Sequence, residues 1–190
     1  MILATRNHHK LVEFRRLLGE QTLAPLPQDV ELGPEAGETF AENALAKARA
    51  AAAATGRIAI ADDSGISAAA LDGAPGVRSA RFAGESASDE QNLALLIERV
   101  PVGSQLAYVC ALAYVDPIAG VERVFEGRCE GRMAAAPQGS GGFGYDPVFV
   151  PDGEDGRTMA QLDGVRKDAL SHRGAACRAL AAWLASGRRP

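Results

Sequence analysis

Apolar positions along the chain recur at two spacings, and the spacing predicts the elements. Met1–Thr5 is a short apolar start of strand type. From His9 to Leu18 the residues Leu11, Phe14, Leu17 and Leu18 follow a helical stripe, with Gly19 as the stop. Thr22–Leu26 predicts a second strand and Gly33–Gly37 a loop. Thr39-Phe40-Ala41-Glu42 has the form of a capping box and opens an Ala-rich helix that Gly56 ends. Arg57–Ala61 predicts a strand, and Asp72–Gly76 a turn-rich loop. Ser88-Asp89-Glu90-Gln91 is another capping box, for a helix to about Val100. Leu106–Val115 and Val121–Arg132 predict two strands joined across Asp116–Gly120, the first apolar enough to be buried on both faces. Phe149-Val150 is a short extended segment. Ser171 to about Ser186 predicts a final amphipathic helix with Leu180, Trp183 and Leu184 inward. Interleaved helices and strands predict an α/β fold, and the adjacent central strands a mixed sheet.

The length of 190 residues predicts a single domain over the whole chain, or one domain with a lobed cleft. A net charge of −4 weighs against bulk nucleic-acid binding, which favours a large positive field. Local cations can still receive a small anionic substrate. Cys110, Cys129 and Cys177 have no metal-like spacing and read as free thiols in a reducing compartment. No start of leader type and no apolar run near the length of a membrane span is seen. These features predict a cytoplasmic protein without a membrane partner.

The candidate chemistry begins at Ala61-Asp62-Asp63-Ser64-Gly65, directly after the apolar run Ile58-Ala59-Ile60. Adjacent carboxylates at a strand end suit a hard divalent cation, with one neighbour free to take a proton from water. A solvated turn explains an isolated acid pair equally well. Thr5-Arg6-Asn7-His8-His9-Lys10 sits between the first strand and the first helix, a natural phosphate seat, although Asn7 serves equally as a helix cap. Adjacent His8 and His9 do not share a helix face, which weighs against a metal role. Gly139–Pro147 joins a flexible backbone to Phe143 and Tyr145, rings that stack on a base or fold into the core. Asp146 is a turn residue or an acceptor for a base N–H. Lys167 and Ser171-His172-Arg173 place cations at the start of the last helix, while Arg178, Arg188 and Arg189 read as surface charge.

These segments, taken in order with Thr39-Phe40-x-Glu42-Asn43-Ala44-x-x-Lys47-Ala48 and Gly73-Ala74-Pro75-Gly76-Val77-x-Ser79-Ala80-Arg81, resemble the inosine triphosphate pyrophosphatase family. The resemblance runs along nearly the whole chain. It implies hydrolysis of non-standard purine nucleoside triphosphates (ITP, dITP, XTP) to monophosphate and pyrophosphate, with Mg²⁺. It also implies an elongated mixed sheet dividing two lobes around a central active-site cleft, and a homodimer. By the resemblance, Thr5, Arg6, Asn7, His8, His9 and Lys10 hold phosphates, and Glu35 and Asp63 hold Mg²⁺. Asp63 is also the proton acceptor, beside Asp62, and Lys47 and Ser64 contact substrate. Phe143 stacks on the base, Gly144, Tyr145 and Asp146 shape its pocket, and Lys167, His172 and Arg173 complete recognition.

Hypoxanthine and xanthine present an acceptor at O6 and a donor at N1; adenine reverses both, so a pocket with donors at O6 discriminates strongly. Two positions depart from the family pattern: Arg6 where glycine is common, and Asp163-Gly164-Val165-Arg166 where acids precede the lysine. Competing readings are a pyrophosphatase for other modified nucleotides, a non-catalytic nucleotide-binding regulatory module, and a single-strand nucleic-acid binder.

Overall fold

The computed structural model describes residues 1–19 and 23–187. Thr22, at the start of the expected second strand, and Arg188 and Arg189 lie outside them. The elements run β1 (Ile2–Leu3), α1 (His8–Leu18), β2 (Ala24–Pro25), α2 (Phe40–Thr55), β3 (Ala59–Ala68) and α3 (Asp89–Arg99). There follow β4 (Gln105–Asp116), β5 (Val121–Met133), β6 (Phe149–Pro151), α4 (Gly164–Leu170) and α5 (His172–Ala185). The strands form one sheet in the order β2-β1-β3-β4-β5-β6. β1 pairs in parallel with both β2 and β3, whereas β5 and β6 are antiparallel, with Arg132 opposite Val150. The α/β fold with a mixed sheet is therefore observed, and β4 is buried along most of its length.

The helix ends follow the local chemistry expected of them. Thr39 and Ser88 each form a complete capping box, with Glu42 and Gln91. Gly56 ends α2 in the left-handed region at φ 64°, where a Cβ would be strained.

Two expectations need correction. The strand expected to stop at Ala61 continues through Asp62-Asp63-Ser64-Gly65 to Ala68, ten residues in all. Polar residues survive inside it because each buried acid meets its own cation or amide. Second, Lys167 does not open the last helix. It lies on the separate seven-residue α4, capped by Asp163, whose side chain accepts the Arg166 N–H.

The chain divides into two compact units: Met1–Asp63 with Cys110–Gly127 and Arg173–Pro190, and Ser64–Val109 with Arg128–His172. The first unit has two apolar clusters. Ala59 and Ala61 join the α2 residues Ala44, Ala48 and Ala51 in one, while Ile60 joins Phe14 of α1 and Leu180 of α5 in the other. Consecutive β3 side chains thus alternate between the α2 side and the α1/α5 side. The second unit is built on Ile66, Leu96, Leu106, Tyr108, Tyr145, Phe149 and Met159. No helix among the described residues is long and apolar enough to cross a membrane.

Candidate active site

Asp62 and Asp63 continue the β3 alternation, so two acids adjacent in sequence serve opposite faces of the strand. Asp62 lies on the Ile60 side. Its Oδ2 accepts from Lys10 Nζ at 2.9 Å and from Arg173 Nε at 3.5 Å. Arg173 also donates through NH1 to Glu13 Oε2 at 3.0 Å. Asp62, Glu13 and Arg173 are all buried. Burial pushes the Asp62 carboxyl up, but Lys10, Arg173 and Lys47 outweigh it and hold the group well below the usual carboxylate range.

Asp63 lies on the Ala61 side, against α2. Its Oδ2 accepts from Asn43 Nδ2 at 3.0 Å, and its Oδ1 from Lys47 Nζ at 3.3 Å. Asn43 and Lys47 are one turn apart on α2 and so share a face. Lys47 Nζ also donates to Glu35 Oε1 at 2.5 Å. The Glu35 loop is tied down by Gly37 N–H, which donates to Asn43 Oδ1 at 2.8 Å. A Cβ at Gly37 would stand 2.7 Å from that oxygen, so only glycine fits without displacement.

Asp63 titrates above its usual range, because burial, reinforced by repulsion from Glu35, outweighs the opposing pull of Lys47, Asn43 and Lys10. Burial disfavours the Lys47 ammonium, yet Asp62, Asp63 and Glu35 together raise its pKa and keep it charged. Asp62 is therefore held as an anion down to strongly acid pH, whereas the proton affinity of Asp63 is elevated.

The donor set fits a hard divalent cation. Glu35 and Asp63 already converge on one cationic atom, Lys47 Nζ, and two carboxylates with substrate phosphates and waters are the ligands Mg²⁺ takes. No cluster of three or more His, Cys, Asp or Glu suited to a metal occurs among the described residues.

In the β1–α1 junction, Thr5 Oγ1 accepts the Asn7 N–H and Asn7 Oδ1 accepts the Lys10 N–H, both at 3.1 Å. Asn7 is thus a helix cap, and its side-chain oxygen is already engaged. His8 and His9 are exposed in the first turn, edge to face at 6.3 Å. Arg6, expected at the phosphates, turns its side chain to backbone carbonyls. Its guanidinium donates to the carbonyls of Leu26 (3.3 Å), Pro27 (2.8 Å), Gln28 (3.2 Å) and Val30 (2.7 Å). Four acceptors satisfy a planar cation well, and they bind the junction to the segment after β2.

The second unit gathers the aromatic loop. Asp146 is buried; its Oδ1 accepts from Tyr108 OH at 3.0 Å. Its Oδ2 accepts from Lys167 Nζ at 2.7 Å and from the Phe143 N–H at 3.0 Å. Gly142 has φ +73°, and a Cβ there would stand 2.0 Å from Asp146 Oδ2. Lys167 Nζ lies 5.5 Å from the centre of the half-buried Phe143 ring, a cation–π distance. Gly144 also takes a positive φ, 61°, and Ser64 is half-buried at the end of the acid pair. Tyr145, expected to shape the base pocket, packs in the core cluster of this unit: its ring is buried and its hydroxyl donates to the Ser79 carbonyl at 2.7 Å. His172 stacks on Tyr108, with centroids 4.7 Å apart and planes 9° from parallel.

Three participants carry no role in the sequence reading. Asn43 stands in the Thr39–Ala48 motif, but its bond to Asp63 needs the fold. Glu13 had a signal: with Lys10, Phe14 and Leu17 it falls on one helical face, so a carboxylate sits on an apolar stripe. Tyr108 lies in a strand buried on both sides, where nothing local marks it.

A sequence profile described as the Ham1 family matches residues 1–183. The chain belongs to the Ham1 family. It is 50% identical over 191 residues to a protein of Mycolicibacterium paratuberculosis named dITP/XTP pyrophosphatase, covering 95% of this chain and 93% of that one. A Frankia alni protein of the same name is 49% identical, covering 97% and 96%. Among solved structures, a HAM1 protein from Coxiella burnetii superposes with a TM-score of 0.84 at 39% identity, covering 98% of each chain. A nucleoside-triphosphatase / dITP/XTP pyrophosphatase from Mycobacterium abscessus superposes at 0.74 with 44% identity, again over 98% of each.

Proposed function

We propose that this Ham1 family member hydrolyses dITP, ITP and XTP to the monophosphate and pyrophosphate, depends on Mg²⁺, and so removes non-standard purines from the nucleotide pool. The observation that carries the reading is the convergence of Glu35 and Asp63 on Lys47, with Asp62 set apart on the other face of β3. The relatives named dITP/XTP pyrophosphatase support the substrate class. The proposal extends to one catalytic domain over 1–190, a homodimer in solution and a cytoplasmic location.

Glu35 and Asp63 are the residues that would hold the metal. Bound there, Mg²⁺ supplies charge neutralisation to the phosphates and to the departing pyrophosphate. The rest falls to the chain. Asp63, with its raised proton affinity, takes the proton of the water that attacks the α-phosphorus. The new P–O bond forms as the bond to the bridging oxygen breaks, and pyrophosphate leaves with that electron pair. Asn43 holds the Asp63 carboxylate in register. Lys10 and the first turn of α1 receive phosphate oxygens. Phe143 gives the base a stacking face, and Lys167, positioned by Asp146, offers donor capacity to O6.

The test is a Mg²⁺-dependent hydrolysis panel of ITP, dITP, XTP, GTP, ATP and dTTP with products separated. Release of pyrophosphate from the first three, with little from the others, is the expected result. Turnover of none of them overturns the proposal in favour of a nucleotide-binding module.

A further inference from the structure

Two cations meet one oxygen on the α1/α5 side of β3. Lys10 Nζ stands 2.9 Å from Asp62 Oδ2, and Arg173 Nε stands 3.5 Å from the same atom. Left to compete equally, the guanidinium has the advantage, since Arg binds carboxylates through a planar fork and Lys as a point charge. Here Arg173 is drawn the other way: its NH1 donates to Glu13 Oε2 at 3.0 Å, closer than its contact with Asp62. Glu13 and Lys10 are three residues apart on α1 and so share a face. The four side chains balance two positive against two negative charges, and the side chain of Lys10 is the most exposed of the four, at 15%.

We propose that Glu13 is a positioning residue for phosphate binding: by holding Arg173 back from Asp62, it leaves Asp62 to fix the Lys10 ammonium. Lys10 spends one N–H on Asp62 and keeps the other donors for phosphate oxygens. Without the Glu13 carboxylate, Arg173 closes on Asp62 Oδ2, and Lys10 loses its anchor. The inference rests on Lys10 as a phosphate ligand, but not on which base is recognised or on turnover.

The test is a double-mutant cycle on the full chain, read by calorimetric titration with inorganic tripolyphosphate. Glu13→Gln keeps the shape and removes the charge; it should weaken tripolyphosphate binding about 5-fold or more in an otherwise wild-type chain. In a Lys10→Ala background it should cause no further loss, because the effect acts through Lys10. In nucleotide kinetics KM should rise with kcat little changed. Glu13→Asp, which keeps the charge, should recover at least half of the lost affinity. If Glu13→Gln fails to fold, the cycle is run with Glu13→Ala, which also removes the charge, under the same criteria. Unchanged affinity in the single variant, an equal loss in both backgrounds, or no binding by the wild-type chain overturns the proposal. Wild-type binding of tripolyphosphate without hydrolysis of any nucleotide leaves it standing while removing the proposed reaction.

Discussion

At the scale of single residues, the two adjacent aspartates should behave unlike one another. Asp63→Asn keeps the shape of the α2 contact but removes the proposed proton acceptor and one proposed metal ligand. Turnover of dITP should fall by about 10²-fold or more, with folding intact by circular dichroism. Wild-type-like turnover would take Asp63 out of the mechanism. Its stability should change little, since Lys47 retains Glu35 and the lost carboxylate was already disfavoured by burial. Asp62→Asn removes an anion from between two largely buried cations. Breaking such a network by taking out one partner costs about 3–5 kcal/mol, to be read from urea unfolding. The sign with pH follows. The native pKa of Asp62 lies below its unfolded value, near 3.8, so its contribution is complete above that value and drains away as pH falls below it. The variant should therefore lose less stability than wild type over that acid interval. Equal urea midpoints for the two variants would refute the division of labour.

At the scale of elements, what was legible depended on whether the signal was local. The capping boxes at Thr39 and Ser88 and the left-handed Gly56 need only neighbouring residues, and the helices they bound were readable. The sequence pattern ends β3 at Ala61 because Asp-Asp-Ser-Gly is turn chemistry in isolation. It is strand chemistry only when Lys10, Arg173, Asn43 and Lys47 arrive from distant segments. α4 carries no expectation in the sequence, because its seven residues are too few to show a helical stripe. In the aromatic loop the candidate residues are legible, but the direction of each ring is not: Tyr145 turns to the Ser79 carbonyl, and Phe143 is half-buried near Lys167. That loop offers its own test. Gly142→Ala puts a methyl where Asp146 Oδ2 lies and imposes a backbone angle that L-residues rarely adopt. It should disturb the Asp146–Lys167 pair and raise KM for dITP several-fold, while tripolyphosphate, which has no base, binds as before. Weakened tripolyphosphate binding with unchanged KM would contradict the assignment of this loop to the base.

At the scale of the molecule, the core of each unit encloses cysteine side chains whose spacing along the chain gives no sign of burial. Cys110 and Cys177 lie in the apolar cluster of Phe14 and Leu180, and Cys129 in that of Phe149; none is in a disulfide. Burial pushes the Cys110 thiol well above its ordinary value and the Cys129 thiol up to about 12 from 9.0; nearby carboxylates reinforce the second shift. Reactivity requires the thiolate, so the native chain should resist iodoacetamide at pH 8, whereas all three cysteines should react in urea. The same burial fixes the alkaline limb of stability. Between pH 9 and 12 the unfolded chain releases the Cys129 proton and the native chain keeps it. Each pH unit then favours unfolding by about 1.4 kcal/mol for that one group. Below pH 9 both states hold the proton and the term vanishes. Cys129→Ala should leave the stability profile parallel to wild type below pH 9 and flatten it above. Parallel profiles throughout, or rapid labelling of Cys129 in the native chain, would show that the thiol is not held protonated by the core that surrounds it.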